Sequence, residues 1–385
     1  MKKSTQIIHD PYEAPAGFKA PQPGVFKAST VYFENAKARR TLIEGQRIGY
    51  AYGLDGTPTT YTLEQRIAHL EGGTYCALAC SGLAAINMVN FALLKSGDQL
   101  LLPENVYEPS RETADDLFKD FGITTAFYDP MHPETLKSAM TEKTKLVWLE
   151  APGSVTMEFP AFDELARIAR EGGAYTALDT TWAAGLAFCG FDYGVDIVVQ
   201  ALTKYPSGGG DVLMGGVVTR DERINEFIIR ARLLTGMGIS GNDAELVLRS
   251  LPSMTLRYQK QFELAMGLAQ WCIGRDEFMA VLHPALEKSP GHENWVRLAN
   301  QIGAGIFSVV FDSRYNLEQV ERFIDALKLF KIGFSWGGAV SLVMSYNLPK
   351  LRKAPKWDGI LVRFCIGLED VEDLQQDLAQ ALSTL

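Results

Sequence analysis

The sequence is poor in the residues that build metal and disulfide frameworks, with five cysteines and five histidines in 385 residues. An odd number of scattered thiols, Cys76, Cys80, Cys189, Cys272 and Cys365, excludes a fully paired disulfide scaffold and suits a reducing compartment. His9, His69, His132, His283 and His292 stand far apart, and none joins a cysteine pair at metal-ligand spacing, so no metal site is expected. Cys76 and Cys80 read as small core residues at a strand-to-helix turn. No apolar run approaches the ~20 residues of a membrane span. The opening stretch, MKKSTQIIHDPYEAP, has two lysines but no apolar core behind them, unlike a secretory signal, and cytoplasmic residence is the expectation. Basic residues are outnumbered, 37 Lys and Arg against 46 Asp and Glu, which excludes an extended nucleic-acid surface. No Walker phosphate loop occurs. Gly236-Met-Gly238-Ile-Ser-Gly241 does fit G-x-G-x-x-G. A dinucleotide site needs a strand before it, whereas residues 228–234 have helical character, so the run reads as a helix-to-helix turn.

What is present is a long alternation of strand and helix patterns. Residues 1–58 are rich in Pro, Gly and polar groups and lack an evident core, so they read as an arm that lies on another surface. Between Thr57 and Glu71, apolar spacing at Leu63, Ile67 and Leu70 predicts a helix, with Thr62 as its cap ahead of Glu64 and Gln65, and Gly72-Gly73 as its end. A strand over 75–79 follows, and Ser81-Gly82 opens an apolar helix whose free backbone N–H groups offer a phosphate seat. From Asp98 to about residue 199 short strands alternate with helices, which implies a mostly parallel sheet covered on both faces. Long amphipathic helices are predicted over 223–234 and, unbroken, over 243–273, then a strand-rich end. The domains expected are 59–245 for the main sheet and 246–385 for a smaller α/β unit.

The chemistry concentrates between Asp196 and Asp211, in DIVVQALTKYPSGGGD. An apolar β-branched strand delivers Lys204 to a glycine-rich loop, while the preceding strand ends in Asp179. Two strands thus place one ionisable group each at the sheet edge where ligands of open α/β sheets bind. A partly desolvated lysine exposes the neutral amine that a Schiff base requires. A carboxylate facing a pyridine nitrogen keeps that ring an electron sink, so Asp179 and Lys204 form a candidate pair for pyridoxal phosphate.

Five motifs carry a resemblance: Asp179-Thr-Thr-Trp-Ala-Ala-Gly185, Ala201-Leu-Thr-Lys204-Tyr205, Tyr107-Glu-Pro-Ser110, Ser335-Trp-Gly-Gly338 and Arg363-Phe-Cys-Ile-Gly-Leu-Glu-Asp370. From about Tyr52 to the end, the chain resembles the Cys/Met-metabolism family of pyridoxal phosphate enzymes, and within it the bacterial cystathionine β-lyases. The resemblance implies the type I, aspartate-aminotransferase-like fold with pyridoxal 5'-phosphate bound at Lys204 and Asp179. It implies that Tyr107 stacks on the ring, that Ser81, Gly82, Leu83 and Thr203 hold the phosphate, and that Tyr52 reaches a neighbour's site in a homotetramer built as a dimer of dimers. It also implies a small amino-acid substrate. Arg363, set among apolar strand residues, would clamp its α-carboxylate through two parallel hydrogen bonds, with Ser335 and Trp336 walling the pocket. The activity implied is β-cleavage of cystathionine or another cysteine thioether to a thiol, pyruvate and ammonia. Amino-acid (alanine) racemisation by Lys204 and Tyr107, or γ-acting trans-sulfuration, are the alternatives. Departures from the family pattern are Leu54 where it carries a phosphate-binding arginine, Gly209-Gly210 in place of His-Ser, and Val340 in place of glutamate. Arg111 and Arg47 are the candidate replacements for the missing arginine.

Overall fold

A computed structural model of the chain describes residues 2–10, 12, 14–42, 49–348 and 356–385, so Arg47 lies outside the described residues. The main sheet contains β1 (Tyr75–Ala79), β2 (Gln99–Pro103), β3 (Thr124–Tyr128), β4 (Thr144–Glu150), β5 (Tyr175–Asp179), β6 (Ile197–Ala201) and β7 (Gly215–Thr219). Their spatial order is β1-β7-β6-β5-β4-β2-β3. The strands from β6 to β3 are all parallel, and β7 is antiparallel to both its neighbours. Such a sheet must be covered on both faces, and its central strands show it. Leu178 and Val198 enter one core, Ala177, Ile197 and Val199 the other.

A second sheet is formed by β8 (Phe278–Leu282), β9 (Ile306–Phe311), β10 (Lys331–Ile332), β11 (Leu342–Asn347) and β12 (Ile360–Cys365), in the order β10-β11-β12-β9-β8. A third core lies between it and the helices Met254–Cys272, Leu317–Ala326 and Val371–Leu382. The architecture is α/β, a mostly parallel main sheet with a smaller second one.

Several local expectations are corrected. The first core helix, Pro58–Glu71, lies where it was expected, but its cap is Thr57, which exchanges side-chain-to-backbone hydrogen bonds with Thr60; Pro58 is favoured at the first helical position. Thr62 instead donates its hydroxyl back to Pro58 O at 2.8 Å. The helix expected over 243–273 is divided into Gly241–Ser250, a 3₁₀ turn Leu251–Ser253 and Met254–Cys272, because Pro252 has no N–H to continue the ladder. Cys76 is buried as expected, but Cys80 is exposed just past the end of β1. Gly236 caps the helix Glu222–Thr235 in a left-handed conformation and Ser240 caps the next, so the G-x-G-x-x-G run is a helix-to-helix turn.

The arm makes few deep contacts. Its helix Lys3–His9 buries only Ile7. Further on, Phe26 N donates to Thr59 Oγ1 at 2.8 Å and Thr59 donates to Gly24 O at 2.8 Å, while Phe18, Phe26, Tyr32 and Tyr50 stay exposed. Its exit is held firmly. Arg232 pairs with buried Glu64 at 2.8 Å and donates to Asp55 O at 2.7 Å.

Candidate active site

The parallel strands β4, β5 and β6 end at one sheet edge, where their last residues or the following loop carry Glu150, Asp179 and Lys204. After β6 the chain turns at once: Lys204 N donates to Ala201 O and Gly208 N donates to Lys204 O. Lys204 thereby stands on a closed turn instead of a loose loop. Its Nζ lies 2.7 Å from Ser335 Oγ and 5.7 Å from the centre of the Trp336 ring. Trp336 in turn packs edge-on against Tyr205. Burial, aided by the Arg363 charge and opposed by Cys365 and Asp179, lowers the Lys204 amine to about 8. Near neutral pH a useful fraction is the free base.

Asp179 accepts a hydrogen bond from Thr181 N at 2.9 Å. Burial raises its pKa, and the Thr181 bonds and the Lys204 charge oppose the rise. Thr181 also accepts from Ala201 N at 2.9 Å, which ties the ends of β5 and β6 together. Tyr107 begins the short helix Glu108–Glu112 and donates its amide to Glu150 Oε2 at 2.8 Å. Burial, then Asp179 and Glu150, raise its phenol pKa, and Arg363 opposes them. Tyr107 therefore holds its proton at neutral pH, within the electrostatic reach of Asp179 and Arg363.

Arg363 sits in β12, 8% exposed, its guanidinium carbon 5.2 Å from the centre of the Tyr346 ring. No carboxylate among the described residues pairs with it, and its Nε has no hydrogen-bond partner. A buried guanidinium that no carboxylate pairs among the described residues can receive an anion.

At the neighbouring helix Gly82–Leu93, Ser81 is the cap and accepts from Ala84 N at 3.0 Å, while the Gly82 and Leu83 amides of the first turn have no intrahelical acceptor and none among the described residues. The helix start is pressed onto β6, since a Cβ on Gly82 would lie 2.7 Å from that of Ala201. Thr203 donates to Met214 O at 3.2 Å and accepts from Met214 N at 3.0 Å. Its hydroxyl hydrogen is thus committed to the backbone. Arg111 lies over Phe127 and donates to Glu104 O. Tyr52, half exposed on the arm and bridged through its backbone to Thr30, shares no hydrogen bond or ring contact with Lys204, Asp179 or Arg363 among the described residues.

The sequence reading brought Lys204, Asp179, Tyr107, Arg363, Ser335 and Trp336 to attention; Ser335, Trp336, Arg363 and Asp179 reach Lys204 by contact or charge, and Tyr107 is linked to it only through the charges of Asp179 and Arg363. It missed Glu150, Thr181, Tyr346 and Cys365. Strand endings were a usable signal for Glu150. For Tyr346 only the pairing of β11 with β12 sets it beside Arg363.

The donor set fits pyridoxal phosphate: a depressed lysine, a buried carboxylate at the adjoining strand end, and a capped helix start with free amides. No helix among the described residues is long and apolar enough to cross a membrane, and no cluster there could hold a metal ion. The family model of Cys/Met metabolism PLP-dependent enzymes matches residues 4–383. A cystathionine beta-lyase of Bordetella avium is 37% identical, over 92% of this chain and 90% of that protein, and others of that name are 30–33% identical. An L-alanine/L-glutamate racemase of Wolbachia pipientis is 31% identical over 94% of this chain and 92% of its own. The crystal structure of metB from Corynebacterium glutamicum superposes with a TM-score of 0.90 at 29% identity, covering 100% of this chain and 98% of that one. The chain is a member of the Cys/Met metabolism PLP-dependent enzyme family, with its type I fold.

Proposed function

We propose that this enzyme is a carbon–sulfur β-lyase that cleaves cystathionine or a related cysteine thioether to a thiol, pyruvate and ammonia. The carrying observation is the buried Arg363, which no carboxylate pairs among the described residues and whose charge reaches Lys204, since it can seat an α-carboxylate beside the amine that works on Cα. Ser81, Gly82 and Leu83 would hold the cofactor phosphate, with Thr203, whose hydroxyl hydrogen goes to Met214 O, shaping the seat instead of donating to it; Asp179 would face the pyridine nitrogen, and Tyr107 would cover the ring. Pyridoxal phosphate, when bound, supplies an electron sink for the pair left when the Cα proton departs.

Lys204, as free base near pH 8, accepts the Cα proton and can return a proton to the departing sulfur. The Cβ–S bond breaks with its electron pair on sulfur, and water completes the conversion of the three-carbon fragment to pyruvate and ammonia. Arg363 orients the substrate by its carboxylate, Ser335 holds the Lys204 amine in place, and Trp336 shortens the space for the leaving side chain. Tyr52 would complete the site of a neighbouring subunit in a homotetramer, a role suited to its exposed arm. The division into an arm 1–58, a cofactor domain 59–245 and a C-terminal domain 246–385 belongs to the same reading. So does cytoplasmic residence, which five unbridged thiols suit.

A racemase is the second reading, favoured by the Wolbachia relative. It would need a second base opposite Lys204, and the raised pKa of Tyr107 makes that phenol a poor one at neutral pH. The test is product analysis of the PLP-supplied protein with L-cystathionine, L-cysteine and each enantiomer of alanine. Pyruvate and homocysteine from cystathionine are expected. Cysteine with 2-oxobutyrate as main products, or alanine racemisation without pyruvate, would overturn the proposal.

A further inference from the structure

Glu71 is a buried acid that the chemistry above does not use. It is the last residue of the helix Pro58–Glu71 and is 0% exposed. Its Oε1 lies 3.1 Å from Thr180 Oγ1, and the same hydroxyl lies 3.2 Å from Val199 O. A hydroxyl has one hydrogen. Two acceptors compete for it, and the conflict disappears if Thr180 donates to Val199 while accepting a hydrogen carried by Glu71 itself. The second oxygen, Oε2, has no hydrogen-bond partner, which would be costly for an ionised carboxylate.

The groups that face Glu71 come from four directions. Lys3 is electrostatically close but donates its amine to Leu70 O; Cys189 Sγ donates to Glu71 O; Arg220 Nε donates to Gly72 O; and Asp179 adds negative charge through the adjoining strand end. Burial raises the carboxyl to about 7, opposed by Lys3 and Thr180 and reinforced by Asp179. Thr180 also lies between Asp179 and Thr181, and its amide donates to Val199 O at 2.8 Å. Whatever holds Thr180 holds the segment from which Asp179 projects.

We propose that Glu71 is a positioning residue for Asp179: a neutral carboxylic acid that fixes the end of β5 through Thr180 and leaves Asp179 the bearer of negative charge there. This rests on reading Asp179 as the partner of the cofactor ring. In this role glutamine is a faithful replacement for protonated Glu71, because it offers a donor and an acceptor in the same shape. Alanine is not.

The test compares full-length, PLP-loaded wild type, E71Q, E71A and D179N by visible spectrum, PLP dissociation constant and urea midpoint. E71Q should keep the wild-type spectrum and affinity, while E71A should bind PLP about tenfold more weakly, the scale of one lost buried hydrogen bond. Glu71 takes a proton more readily folded than unfolded, so its contribution to stability is present below its ordinary value of 4.5 and is lost as pH rises toward about 7. The urea midpoint of E71Q should therefore gain on that of wild type between pH 5 and pH 8. E71Q as damaged as E71A, or a midpoint difference that does not change with pH, would overturn the proposal even if E71A fails to fold. Unchanged PLP binding and spectrum in D179N would overturn the reading of Asp179 and this role with it, whereas a damaged D179N beside an unaffected E71A would overturn the role of Glu71 alone.

Discussion

Lys204 shows how a single side chain is prepared by its surroundings. Its amine loses hydration and meets the positive field of Arg363, so it gives up its proton near pH 8 instead of its ordinary 10.5. In the cofactor-free protein, labelling of Lys204 by a small amine-reactive aldehyde followed by reduction should be half-maximal near pH 8, with the site assigned by peptide mass. A midpoint near 10 would contradict the desolvated site. Lys204→Ala should abolish both turnover and the yellow colour of the PLP-loaded protein; normal β-elimination by that variant would be incompatible with the assignment. Lys204, Asp179 and Arg363 were legible because ionisable residues that interrupt or end apolar strands are conspicuous. The Lys204 to Ser335 contact was not, since it spans 131 positions and depends on Ser335 adopting a φ of 86°, which is uncommon without glycine and belongs at functional turns.

That turn works only because an adjoining element comes extremely close. Gly337, at φ +81°, passes the backbone of Lys204 and Tyr205 so tightly that a Cβ would lie 2.9 Å from Tyr205 N and 3.0 Å from the Lys204 carbonyl carbon. Gly337→Ala should push the 335–338 turn off the lysine and misplace Ser335 and Trp336. Displacements of that size cost on the order of 100-fold in turnover, and the strained φ adds about 1 kcal/mol of destabilisation. Steady-state kinetics with a thermal melt would check this, and unchanged kcat would show that the turn tolerates the methyl group. At this scale the strands and most helices were readable from periodicity. The break at Pro252 was passed over because apolar spacing continues across it, and the cap at Thr57 because Thr62 ahead of Glu64 and Gln65 imitates a capping sequence, although Pro58 at the first helical position marks the true start.

For the whole molecule, the arm is the part whose packing remains unfinished. Tyr32 is 94% exposed and Phe18 61%, values more natural for a surface another subunit covers than for open solvent. Light scattering should give a multiple of the 42.5 kDa chain mass, and removal of residues 2–49 should both lower that multiple and depress turnover; a fully active monomer would contradict the expectation. The alternation of strand and helix announced the parallel sheet, whereas the pairing of β7 against it in the opposite sense left no trace in composition. At the root of the arm, Arg232 grips Asp55 O and Glu64 together, and the Tyr61 ring lies directly against Gly56, at φ +141°. The direction in which the chain passes Gly56 is thus set by the folded body. An arm taken from a relative and joined at Gly56 would leave at the same angle, which makes this position a natural splice point for building chimaeras with exchanged subunit contacts.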